Sequence, residues 1–226
     1  MANPSSEHFS HLDYLWGYLS HSKQLGLLYQ LDTDIKRSSK TEQSAAISPA
    51  AIKLTGSTDA DWGGDLDSRR STTGYIFLLQ SNKSSCAISW ISKLQPTAAL
   101  SSAEAEFMAY REAVKQSIYL TQFIKEIKAL YLMLSDDQTA TTIYSDSQSA
   151  IQLTKNPTYH ARTKHIDIQY YFVREKVEAK QIQLVYQNTS CLLADCLTKA
   201  VSADKIKDFI ARSSLVNIYQ SRIPAS

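Results

Sequence analysis

Phe9, Leu12, Trp16 and Leu19 recur three or four residues apart, which predicts an amphipathic helix over residues 6–20. Such a stripe needs something to cover it. From Asp32 to Pro49 the chain turns polar and rich in Ser, Lys and Thr, with few large apolar residues, and reads as a linker over residues 32–50. Three β-type runs follow: Ala51 to Thr58, Gly74 to Leu79 and Cys86 to Ser92. The short polar stretch QSNKSS between the last two predicts an antiparallel meander.

Leu100 leads into SSAE, where Ser101 and Glu104 match the S-x-x-E capping box, and a long helix follows with Ala109, Ala113, Leu120, Ile124 and Ile127 on its predicted buried face. After the polar break SDDQT, Thr141 to Ser145 form a β-rich run that ends at Asp146 and hands over to a helix starting near Ser147. Strand followed by helix implies a parallel crossover. A second helix carries Ile166, Tyr170, Val173 and Val177 on one stripe, then comes the strand Ile182 to Tyr186 and a helix holding Asp195. Ser202 is positioned to cap a last helix containing Ile206, Phe209 and Ile210. The predicted order is βββαβα followed by αβα, an α/β protein.

Composition narrows the setting. At 226 residues the chain has length for one domain with a real core plus about 50 residues of arm. Hydrophobic content of 43% and charged content of 20% are ordinary for a globular protein, and no apolar run approaches the roughly 18 residues of a membrane span. The N-terminus lacks a basic stretch followed by an apolar one, so no secretory signal is expected. Three cysteines without CxxC spacing argue against a disulfide framework and a structural zinc site, and fit reduced thiols in an intracellular setting, cytoplasm or nucleus. The formal charge of +2 is too small to imply nucleic-acid binding, so any basic surface must be local, as at Arg162, Lys164, Arg174, Lys176 and Lys180 and again over residues 199–212.

The acidic residues change the picture more. An Asp at a strand end, or a Glu in a first helical turn, is by itself most simply a cap or a surface charge. Here Asp59 is predicted at the end of the first strand, Asp146 at the end of the fourth, Glu106 in the first turns of the long helix and Asp195 just past the fifth strand. Four carboxylates gathered in one place repel one another unless they hold cations. Phosphodiester hydrolysis is chemistry that needs such a cluster, because two Mg2+ ions about 4 Å apart, with Mn2+ as a substitute, activate water and neutralise the phosphate. Glu104 and Glu106 compete for the helical position. Glu104 occupies the capping-box site and Glu106 lies about 200° further round, so Glu106 is assigned to the metal. Asp59 and Asp61 face the same side of an extended segment, and Asp59 is preferred because it is nearer the strand.

The strings STDADWGGDLDSRRSTTGYIFLL, AISWISKLQPTAALSSAEAEFMAYREA, TIYSDSQSAIQLTKNP, HARTKHIDIQYYFVREKV and LLADCLTKA, in this order, resemble the ribonuclease H domain of copia-type retrotransposon polyproteins, over about Lys53 to Leu215. The resemblance implies a ribonuclease H-like fold, with one mixed five-stranded sheet in the order 3-2-1-4-5 and helices on its faces. It places Asp59, Glu106, Asp146 and Asp195 on the family's four catalytic, metal-binding carboxylates. It implies an endonuclease that hydrolyses the RNA strand of RNA/DNA hybrids during reverse transcription. Gln148, in SDSQ, is similarly placed to a minor-groove contact, and Arg162 and Lys164 are candidates for phosphate. Many ribonucleases H carry a mobile His before the last catalytic Asp; YQNTSCLLAD has none, and His165 in TKHID is the nearby candidate for product release.

NPSSEHFSHLDYLWGYLSHSKQLGLLY is similar to the closing segment of a copia reverse transcriptase, which makes a reverse transcriptase domain or chain a candidate partner. With no Y-x-D-D motif, no DNA synthesis is expected of this chain. The expected domains are 1–31, the helical segment; 32–50, the linker; 51–215, the nuclease; and 216–226, a tail. A catalytically silent nucleic-acid-binding or assembly module is the alternative, and an integrase or junction resolvase on the same scaffold is a third. All four carboxylates being intact argues against a decayed copy.

Overall fold

A strand covered on both faces buries consecutive residues, and the second strand of the chain is of this kind: from Leu54 to Ala60 every residue is buried. The structure, a computed structural model, describes residues 4–29, 52–81, 84–130, 140–155 and 164–219. Its elements in chain order are α1 (Ser6–Ser22), β1 (Leu25–Leu27), β2 (Lys53–Asp61), β3 (Thr72–Gln80), β4 (Ser85–Leu94), α2 (Ser102–Leu130), β5 (Thr141–Ser145), α3 (Gln148–Lys155), α4 (Lys164–Glu178), β6 (Ile182–Tyr186), α5 (Ala203–Arg212) and β7 (Leu215–Asn217). Two short 3-10 turns, Thr189–Cys191 and Leu193–Leu197, join β6 to α5.

Five strands form one sheet in the order β4-β3-β2-β5-β6. The β2–β3 and β3–β4 pairs are antiparallel, while β2–β5 and β5–β6 are parallel. Counting only these five, the order is the expected 3-2-1-4-5. Helices α2, α3 and α4 cover one face, where Phe77, Phe107, Tyr110, Val114, Ile143, Ile151 and Val173 form the main core. Tyr170 on α4 stacks on Phe107, with ring centroids 3.8 Å apart. The opposite face buries Ile76, Leu78 and Ala87 under Leu193, with Leu27, Leu197 and Phe209 packed against them. Alternation along β3 sends Phe77 to one layer and its neighbours Ile76 and Leu78 to the other, as the two-residue period of a strand requires.

The start of α2 is capped as its sequence indicates. Glu104 Oε2 accepts from the Leu100 amide at 2.8 Å, and Ser101 Oγ accepts from the Glu104 amide at 3.2 Å. Gln95 Nε2 then ties this end to the sheet, donating to Thr73 Oγ1 at 3.0 Å and to the Ala105 carbonyl at 2.9 Å.

Several expectations need correction. The first strand runs on to Asp61, because residues 58–61 keep pairing with residues 72–75 of β3, so Asp59 lies inside it. The helix that holds Asp195 is a 3-10 helix of five residues, Leu193–Leu197, rather than an α-helix. The core-facing stripe of α2 reaches Ile124, which is half-buried against the main core, but not Ile127, which is exposed. The stripe on α1 is likewise uncovered among the described residues, with Trp16 at 74% exposure.

A second, two-stranded sheet was not anticipated. β1 pairs antiparallel with β7, and the Tyr29 hydroxyl donates to the Ala87 carbonyl at 2.8 Å. Residues 24–29 are thus attached to the layer that carries the 3-10 turns.

Gly74 controls how closely that layer approaches the sheet. A Cβ there would stand 2.6 Å from Thr198 Cγ2 and 3.1 Å from the Ala194 carbonyl oxygen, one on each side of Asp195. Gly74→Ala should therefore lower the urea unfolding midpoint by the equivalent of about 1–3 kcal/mol through overpacking. An unshifted midpoint would show that the turn is free to back away.

Candidate functional site

Register brings the first two carboxylates together. Ser57 on β2 is level with Tyr144 on β5, so two residues further along, Asp59, near the end of β2, comes level with Asp146, just beyond β5, toward the carboxyl ends of two parallel neighbours. That edge is where α/β sheets present ligand sites. The Leu193–Leu197 turn supplies Asp195 from the adjacent layer, anchored by the Ala194 amide donating to Ser57 Oγ at 3.3 Å. Carboxylate oxygens of Asp59, Asp146 and Asp195 all lie within 4.8 Å of one another. Asp59 and Asp195 are 1% and 2% exposed, while Asp146 is half-buried at the opening.

Glu106 stands beside this trio. It is buried on α2, accepts a hydrogen bond from the Ala60 amide, and leaves Oε2 without a hydrogen-bond partner among the described residues. Burial, and then the charges of Asp59 and Asp146, push its carboxyl up to about 9. Asp59 is pushed up to about 6 by burial, reinforced by Asp195 and Asp146 and opposed by the Thr198 hydroxyl and Lys199. Tyr110, buried between α2 and the sheet, donates to the Ser147 carbonyl at 3.2 Å, and burial raises its hydroxyl well above the ordinary range.

Asp195 behaves differently. Burial pulls its carboxyl up, but hydrogen bonds from Lys205 and Lys199 outweigh that and hold it below the usual range. Lys199 Nζ lies 2.9 Å from Asp195 Oδ1 and 3.5 Å from Asp59 Oδ2, and Lys205 Nζ pairs with Asp195 Oδ2. Thr198 donates to Asp59 Oδ2, and Thr189 donates to Asp146 Oδ2 at 2.5 Å.

Three carboxylates this close, with a fourth nearby that lacks a partner for one oxygen, fit a divalent cation: the donor set is all hard oxygen, and the uncompensated charge is what such an ion neutralises. Asp61 serves elsewhere, since its carboxylate fills the space that a Cβ on Gly64 would need. Gln148 is exposed at the first turn of α3, two residues beyond Asp146. Lys164 and His165 open α4, and Arg162 lies outside the described residues. Sequence reasoning missed Thr189, Thr198, Lys199 and Lys205. Lys199 carried one signal, its i+4 spacing from Asp195. Lys205 and Thr189 carried none, because only the fold brings them to the site.

No family model matches the chain. The retrovirus-related Pol polyprotein from transposon TNT 1-94 of Nicotiana tabacum is 46% identical over 154 residues, which is 68% of this chain and 11% of that protein. The corresponding polyprotein from transposon RE2 of Arabidopsis thaliana is 35% identical over 167 residues, 74% of this chain and 11% of its own length. The chain thus spans about a tenth of the length of these relatives. Among solved structures, RNase H1 from Halobacterium salinarum NRC-1 is similar at 14% identity and a TM-score of 0.39, covering 69% of this chain and 98% of that one. Identity of 46% and 35% over at least two thirds of its length makes this chain a member of the retrovirus-related Pol polyproteins of transposons.

Proposed function

We propose that the chain is a metal-dependent endonuclease of the ribonuclease H type, hydrolysing the RNA strand of RNA/DNA hybrids during reverse transcription of a copia-type element. The observation that carries this reading is the cluster of Asp59, Asp146 and Asp195 within 4.8 Å, backed by the raised carboxyl of Glu106. Two Mg2+ ions, or Mn2+ in their place, would activate water and neutralise the cleaved phosphate. Asp59, Asp146, Asp195 and Glu106 would hold them, with Asp146, the least buried of the three Asp residues, facing the substrate side. The Thr189 and Thr198 hydroxyls orient Asp146 and Asp59 by donating to one oxygen of each.

Hybrid duplexes present a wide, shallow minor groove lined with 2′-hydroxyls, so sugar contacts select the strand and base sequence matters little. Gln148, exposed two residues beyond Asp146, is assigned to such a contact, and Arg162 and Lys164 to phosphate. His165 is assigned to product release. A reverse transcriptase domain or chain is the proposed partner. The competing reading is a catalytically silent module that binds nucleic acid. The ion pairs of Lys199 and Lys205 favour it, because two ammonium groups already neutralise part of the cluster.

Cleavage assays on an RNA/DNA hybrid, double-stranded RNA and double-stranded DNA decide between these readings. With Mg2+ only the hybrid should be cut, and only in its RNA strand; binding of all three without cleavage would establish the silent module. Asp146→Asn should reduce cleavage to background while the metal-free protein unfolds no earlier than wild type, since one repelling charge is gone. Glu104→Gln should cost only about 1 kcal/mol of capping and keep its activity.

The carboxyl of Glu106 also sets a pH dependence. Its ordinary value is 4.5 and its folded value about 9, so between them the folded chain holds a proton that the unfolded chain has released. Stability must then fall as pH rises through that interval. In EDTA, the melting temperature of wild type should drop from about pH 5 to about pH 9 more steeply than that of Glu106→Gln. Parallel curves for the two proteins would mean that Glu106 ionises normally.

A further inference from the structure

Two lysines reach the carboxylate cluster, and their settings differ. Lys205, on α5, is held at both ends of its reach: its ammonium donates to the Thr189 carbonyl as well as to Asp195 Oδ2, and its side chain is only 16% exposed. Lys199 follows the 3-10 turn, its side chain is 39% exposed, and its ammonium spans Asp195 Oδ1 and Asp59 Oδ2. Asp59 and Asp195 are thus bridged by one ammonium from the solvent side. A divalent ion shared by these two carboxylates would compete with that ammonium for the oxygens it bridges. Two cations cannot occupy one pair of oxygens at contact distance, so one must leave.

We propose that Lys199 is a built-in placeholder cation, which neutralises Asp59 and Asp195 while no divalent ion is bound, swings into solvent when one enters, and so lowers the affinity of the centre for divalent ions. This rests on the metal reading above. Lys205 stays in place and keeps Asp195 fixed during the exchange. The partial exposure of Lys199 gives it the room to leave, and a four-carbon stem lets the ammonium move several ångströms without disturbing the backbone. The arrangement also explains how a chain with such a cluster folds before it meets metal: the repulsion between two buried carboxylates is offset from within.

The direction of the effect separates this role from a supporting one. A placeholder opposes metal binding, whereas a lysine that merely aims the carboxylates would assist it. Calorimetric titration of the full chain with Mg2+, and separately with Mn2+, should show Lys199→Met binding on the order of tenfold more tightly than wild type, with Lys199→Arg close to wild type. In EDTA, Lys199→Met should melt below wild type, and saturating Mg2+ should close that gap. A measurement on the unaltered protein guards against a variant that does not fold: acetylation of lysines, read by mass spectrometry, should show Lys199 protected in EDTA and reactive with saturating Mg2+, while Lys205 stays protected in both.

Equal or weaker metal binding by Lys199→Met, a melting deficit that persists in Mg2+, or unchanged acetylation of Lys199 would each overturn the proposal. A wild-type chain that binds neither ion would overturn the metal reading and this inference with it. Metal binding by wild type alongside any of the first three results would overturn only the role of Lys199.

Discussion

Like charges crowded out of water are the constraint around which this fold is organised. Asp59 and Asp195 are almost wholly buried within 4.8 Å of each other and of Asp146, and Glu106 presses on the same group from the side. Each ionised carboxylate removed from water needs either a proton or a counter-charge. The chain uses both: protons at Glu106 and, in part, Asp59, and ammonium groups at Asp195. The remainder of the architecture holds these groups together against their repulsion. The β2–β5 register aligns two of them, the hydrophobic layer under Leu193 presses the third against the sheet, and the capped start of α2 carries the fourth.

Gly74 shows how tightly the two layers depend on one another. Asp59 is opposite Gly74 in the β2–β3 pairing, and the turn carrying Asp195 lies directly over that glycine. A side chain at this one position would part the sheet from the turn, and with them two carboxylates that are 136 residues apart in the chain. Contacts at such separation are costly to form early in folding.

Much of this was legible in the sequence. Strands such as Ile182–Tyr186 and Thr141–Ser145 were read to the residue, because β-branched runs bounded by polar breaks leave little choice of register. Glu104 and Glu106 could be separated because a capping box has a fixed spacing that places one carboxylate on the backbone and leaves the other to turn inward. Elements whose definition depends on a distant partner were not legible. Asp59 continues its strand only because β3 is there to pair with it, and the turn around Asp195 looked like a longer helix because local spacing says little about where a helix stops. Lys205 and Thr189 reach the carboxylates through tertiary packing alone.

The ladder between β1 and β7 has a further meaning. It is three residues long, none of them fully buried, and is flanked by a few hydrogen bonds, from the Leu28 amide to Ser214, from the Ile218 amide to Gln24 and from the Tyr29 hydroxyl to Ala87. As a contact between separate molecules it would be feeble. It holds because the intervening chain keeps both strands at a high local concentration, so that closing the ladder is an intramolecular event. Scission anywhere between Tyr29 and Lys53 would remove that advantage at a stroke. The first helix would then be held by the clasp alone, so that the peptide bonds of the connecting stretch, together with the clasp, decide whether the helix and the five-stranded sheet travel together.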